Sequence, residues 1–148
     1  MDAPEKTSRA MQSALRPLTA SLRMLDDAES VASRQAWWSA TFPGIPESTP
    51  IAGALDQAYP RAPRSADAES ELLQKRKGPD YVVITPGPHP LFWCSDERPP
   101  FFEAICAALR RASGPRRLAW CAVADIALRW TLLEAEDGSY FLRVGELE

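Results

Sequence analysis

The sequence predicts an α+β domain, and three observations carry that expectation. Met11, Leu15, Leu18, Leu22 and Leu25 follow one another at spacings of 4, 3, 4 and 3, a single apolar stripe of a helix. Tyr81-Val82-Val83-Ile84-Thr85 is continuous and β-branched, the pattern of a buried strand. Asp137-Gly138 is a strong short hairpin signal and stands between strand-like segments. The expected architecture is a helical N-terminal part packed on a mostly antiparallel sheet of about four strands, with one crossing helix, Pro99–Ala112, and a C-terminal hairpin at Asp137-Gly138.

The chain has 148 residues, the size of one ordinary domain. It is 45% apolar and 25% charged, close to a globular average, so wholesale disorder is excluded. Composition divides it into a helical part at 5–42, a Pro-rich connecting part at 43–79 and an α+β part at 80–148.

In the first part, Pro17 interrupts the apolar stripe, either kinking one helix or opening a second at its first turn. Asp26 and Asp27 then read as the cap of a helix running to about Ala40, with Val31, Ala32, Trp37 and Trp38 as its apolar members. Phe42-Pro43-Gly44 ends it. In the second part a short helix is expected at Pro50–Ala58 with Thr49 as cap. Another is expected at Ala66–Lys77 with Ser65 as cap and Gly78 as stop, and Tyr59–Arg64 forms a loop between the two.

In the third part, the strand at 81–85 leads through a Pro-rich connection to the helix at 99–112. Phe102, Ile105, Cys106 and Leu109 mark the apolar face of that helix. Arg117–Val123 reads as a second strand. Ile126, Leu128, Trp130 and Leu132 then alternate with smaller or polar residues as a third, and Ser139–Val144 returns as the fourth. One rival remains: Ala119, Val123, Ile126, Trp130 and Leu133 are also spaced 4, 3, 4 and 3, so 118–136 also fits one long helix ending at Gly138. The hairpin turn and the aromatic returning strand favour the strands.

For function the sequence mostly excludes. It carries no Gly-x-Gly-x-x-Gly, no phosphate-binding loop with Lys and no Gly-x-Ser-x-Gly, and its seven glycines leave little for a nucleotide cradle. No cofactor is expected. Cys94, Cys106 and Cys121 form no Cys-x-x-Cys pair, so neither a disulfide framework nor a zinc site is expected and the thiols read as buried and reduced. With a net charge of −3, the basic runs Lys75-Arg76-Lys77 and Arg110-Arg111…Arg116-Arg117 read as cations at helix C-termini, and nucleic acid is disfavoured as a partner. No leader and no membrane span are expected, which places the chain in the cytoplasm.

Two features draw attention. The connection 86–98 carries the single His, and with Cys94, His89 and Asp96 it offers a thiol with a base near a helix N-terminus. That would suit a small enzyme or a ligand site. Against that stands a structural role, with prolines stiffening the connection and Phe92 and Trp93 anchoring it. The second feature is the aromatic supply: Trp37, Trp38, Phe42 and Tyr59, together with His89, Phe92, Trp93 and Arg98, are candidate contacts for a partner. Trp37 and Trp38 are adjacent on a helix and point about 100° apart, so one fits the core more readily than both; packing of the pair against the sheet is the alternative to a partner anchor, and the binding reading leaves Trp38 at the surface. The favoured reading is a non-enzymatic module that binds another protein, by analogy of composition with immunity proteins, secretion chaperones and adaptors; a second copy of the chain is a further partner open to it.

Overall fold

The computed structural model describes residues 3–60, 80–86, 90–95, 102–113, 119–126, 128, 130–135 and 140–144. Among these residues the elements are α1 (Ala3–Leu15), a 3-10 turn (Arg16–Leu18), β1 (Ser21–Met24), α2 (Asp27–Thr41), α3 (Ile51–Ala58), β2 (Asp80–Ile84), β3 (Phe92–Ser95), α4 (Phe102–Ser113), β4 (Cys121–Asp125), β5 (Trp130–Glu134) and β6 (Tyr140–Val144). The α+β class and the antiparallel sheet are as the sequence predicts. The sheet is larger than expected, with six strands in the order β1-β3-β2-β4-β5-β6 and every pairing antiparallel.

Helices cover both faces of the sheet rather than one. Strand alternation sends Tyr81, Val83, Phe92, Cys94, Cys121, Val123, Trp130 and Leu132 to one side. There they pack with Met11 and Leu15 of α1 and with Phe102, Ile105, Cys106 and Leu109 of α4. Ile84, Ala122, Ala124, Leu133 and Phe141 face the other side, against Trp37, Trp38 and Phe42 of α2 and Ile51, Ala54 and Leu55 of α3. β4 and β5 are buried at all five positions because each of their faces has a helix over it. Double burial removes the polar alternation that separates a strand from a helix, which is why 118–136 fits both periods. The pairing of β4 with β5 resolves that stretch as two strands.

The two unforeseen strands have physical reasons. The stripe from Met11 to Leu25 is not one helix. Pro17 lies in the first positions of a 3-10 turn, and Thr19 is extended, with φ −126° and ψ 147°. The chain emerges as edge strand β1, with Leu22 opposite Cys94 on β3. β3 itself lies in what reads as a Pro-rich connection. It returns antiparallel beside β2, with Val82 opposite Trp93 and Tyr81 opposite Cys94. The segment after β2 is therefore a hairpin connection and does not run straight from a strand to a helix N-terminus.

Two further local signals are obeyed and one is not. Asp26 caps α2 through a hydrogen bond from the Glu29 N–H at 2.8 Å. Gly44, at φ 81°, takes the left-handed conformation after α2 that a Cβ would strain. Pro50 occupies the N-cap of α3, without a side-chain hydrogen bond, so Thr49 is not that helix's cap. The helix expected at 66–77 and the Asp137-Gly138 turn lie outside the described residues, although β5 and β6 pair on either side of that turn. No helix among the described residues is long and apolar enough to cross a membrane.

Candidate cleft between α2 and the open end of the sheet

The α2/α3 face is filled unevenly, and the side chains of α2 decide where. At its C-terminal end α2 presents indoles. Trp37 stacks on Trp120 with centroids 5.1 Å apart, and Trp38 packs on Phe42 at 4.7 Å. The aromatic series continues from Phe42 through Tyr59 to Phe141. Ser33, one turn before Trp37, and Ala36, the residue directly before it, are the short side chains that α2 gives to this part of the face. A cleft of about 200 Å³ remains, walled by Arg23 and Leu25, by Glu29, Ser33 and Ala36 of α2, and by Val82, Ile84, Trp93, Asp125, Ile126 and Leu128.

One row of the sheet forms its floor. Arg23 is opposite Trp93, Trp93 is opposite Val82, and Val82 is opposite Ala124, so the row runs from edge strand β1 inward. Trp93 is half-buried there and its indole faces the cleft. Arg23 and Glu29 form an exposed ion pair at 3.2 Å across the outer rim, which contributes about 0–1 kcal/mol. At the other rim Ile126 is 48% exposed. The turn behind it is closed by the Leu128 N–H donating to the Asp125 carbonyl at 2.8 Å. Leu128 has φ 59°, a left-handed conformation that costs a leucine about 1–2 kcal/mol. That conformation directs a branched apolar side chain toward the cleft.

Hydrogen bonds tie α2 and Leu25 before it to the β2–β3 connection, which is also braced within itself. Ser30 Oγ accepts from the Leu91 N–H at 3.1 Å, the Leu25 N–H donates to the Leu91 carbonyl at 2.9 Å, and Thr85 Oγ1 donates to the Pro90 carbonyl at 2.9 Å. Arg34 donates from Nε to the Thr85 carbonyl at 2.8 Å. Burial lowers the pKa of that guanidinium and the Glu47 carboxylate opposes the shift, so it remains a cation.

The structure separates the residues that the sequence groups together. Trp37, Trp38 and Phe42 are 1%, 5% and 0% exposed, so the expectation of a surface Trp38 is corrected. Its indole N–H reaches the Ile45 carbonyl at 2.7 Å, and Phe42 covers its face, so both its apolar and its polar demands are met inside the chain. Tyr59 is half-buried, with its hydroxyl on the Thr41 carbonyl. Phe92 and Cys94 are fully buried on the α1/α4 face, opposite the cleft. With Cys94 at 0% exposure, chemistry at its thiol would require the surrounding packing to open. Trp93 alone of these aromatics lines the cleft. His89, Asp96 and Arg98 lie outside the described residues.

Sequence reasoning missed Arg23, Glu29, Ser33, Ala36, Ile126 and Leu128 as cleft residues. A usable signal did exist: the small residues Ser33 and Ala36 precede two tryptophans on one helix, a contrast in side-chain size that leaves room beside the indoles. Compared with known proteins, the chain matches no family model, no curated protein and no solved structure.

Proposed function

We propose that the chain is a non-enzymatic module that binds another protein, receiving an apolar side chain of its partner in the cleft floored by Trp93. The observation that carries this reading is Trp93 itself, a half-buried indole on the open end of the sheet between a short-chained stretch of α2 and the exposed Ile126. Tryptophan in a partly desolvated pocket is the side chain most enriched among binding hot spots.

Size favours a side chain over a cofactor. Small-molecule sites usually enclose about 300–1,000 Å³. At about 200 Å³ the cleft falls below that range, while an apolar cavity of about 150 Å³ already takes a benzene ring. One aromatic or large aliphatic side chain fits, with Arg23 and Glu29 on the rim to orient what surrounds it.

Native mass spectrometry of the protein purified from its own host tests the reading. A stoichiometric protein partner is expected with the wild type and is expected to be lost with Trp93→Ala. A bound small molecule in its place, or a partner retained by Trp93→Ala with unchanged stoichiometry, contradicts it.

A further inference from the structure

We infer that Cys106 and Cys121 are an oxidisable pair that closes to a disulfide between α4 and β4. Their sulfurs are 2.7 Å apart. Non-bonded heavy atoms rest at roughly 3.5–4.0 Å, and a disulfide bond measures about 2.0 Å, so the pair stands well inside non-bonded contact. A shared metal ion fits worse. Two thiolates on a tetrahedral zinc at about 2.3 Å each are held about 3.8 Å from one another, farther than these sulfurs stand.

The placement follows from the framework around it. Cys106 and Arg110 are one turn apart on α4 and share a face. Cys121 and Glu134 are opposite each other on β4 and β5. Arg110 pairs with Glu134, and Cys106 meets Cys121, so two neighbouring cross-contacts tie the same helix to the same two strands. The third thiol, Cys94, belongs to the same apolar cluster but sits on β3, and β2 separates that strand from β4.

Hydrogen peroxide is an oxidant small enough for so closed a site, since both cysteines are 1% exposed and reaction requires local opening of the helix. One thiolate attacks a peroxide oxygen and the O–O bond breaks. This leaves a sulfenic acid and a hydroxide, which takes up the proton the thiol released. The second sulfur then attacks the sulfenic sulfur, the S–S bond forms, the S–O bond breaks, and water leaves with the second thiol proton. The sum is two thiols and one peroxide giving one disulfide and two waters.

The test treats the full-length folded protein with hydrogen peroxide, blocks remaining thiols under denaturing conditions and digests without reduction at Arg and Glu. The digest separates peptide 104–110, which holds Cys106, from peptide 118–129, which holds Cys121, and leaves Cys94 on neither. The expected product is 104–110 joined to 118–129, lighter by two hydrogens than the two peptides together, in a protein that stays monomeric on a non-reducing gel. Cys94→Ser should leave the product unchanged, and Cys106→Ser or Cys121→Ser should abolish it. If the last two fail to fold, the identity of the joined peptides in the wild type and in Cys94→Ser decides alone. Recovery of Cys106 and Cys121 as separately blocked or oxygenated peptides overturns the inference, as does a link to Cys94 or between two chains.

Discussion

Trp37 on α2 and Thr131 on β5, 94 residues apart, are joined by a buried hydrogen bond of 2.9 Å from the indole Nε1–H to the hydroxyl. The bond ties the C-terminal half of α2 to β5, and Ser33 and Ala36 of the same helix line the cleft with Trp93. Thr131→Val keeps the shape and removes the acceptor, leaving the indole N–H buried and unpaired. The expected loss is about 1–3 kcal/mol in urea unfolding. Combined with Trp37→Phe, the two losses should fall short of additive by about 1 kcal/mol, since the second change removes the stranded donor.

The Arg110–Glu134 pair predicts an asymmetry. The Glu134 side chain is 4% exposed and that of Arg110 37%, so the carboxylate depends on the guanidinium far more than the reverse. Arg110→Ala should cost about 1–3 kcal/mol by stranding a buried charge, somewhat below the loss for a fully enclosed pair because Arg110 reaches solvent. Arg110→Leu with Glu134→Leu should recover most of that loss. Urea midpoints of the single and double variants check both statements.

Two glycines should respond with opposite signs. Gly44 has open space where a Cβ would stand but holds φ at +81°, so Gly44→Ala is expected to destabilise by about 1 kcal/mol. Gly53 lies within α3, and an added Cβ there would meet Thr49 Cγ2 at an ordinary 3.7 Å. Gly53→Ala should stabilise by about 0.5–1 kcal/mol through the higher helix propensity of alanine. Thermal melts of the two variants read the contrast directly.

What could be read from the sequence follows from which signals are local. Asp26 capping α2, the apolar face of α4 and the β-branched run of β2 each rest on a few adjacent residues, and the structure contains all three. β3 was hidden because four residues are too few for a period-2 pattern and prolines flank them, and only pairing with β2 and β1 makes Phe92–Ser95 a strand. β1 was hidden because Leu22 and Leu25 happen to continue the spacing of α1 past Pro17. The candidate site was half legible: Trp93 stood out as a large aromatic in an unexplained segment, but its neighbours come from β1, α2, β2 and the β4–β5 turn, and only the tertiary fold brings them together. Trp38 misled because an adjacent pair on one helix need not divide between core and solvent when the helix is clasped between a sheet and the loop that follows it.

The proposed docking cleft is tested most directly by site-specific photo-crosslinking in the native host. A photoreactive residue at Ile126 would stand on the cleft rim, and one at Gln35 would stand on the exposed surface of α2 outside the cleft. The account predicts one discrete protein adduct from position 126, lost when Trp93→Ala is added, and none from position 35. Equal adducts from both positions, an adduct from position 35 alone, or an adduct at 126 that survives Trp93→Ala would contradict it.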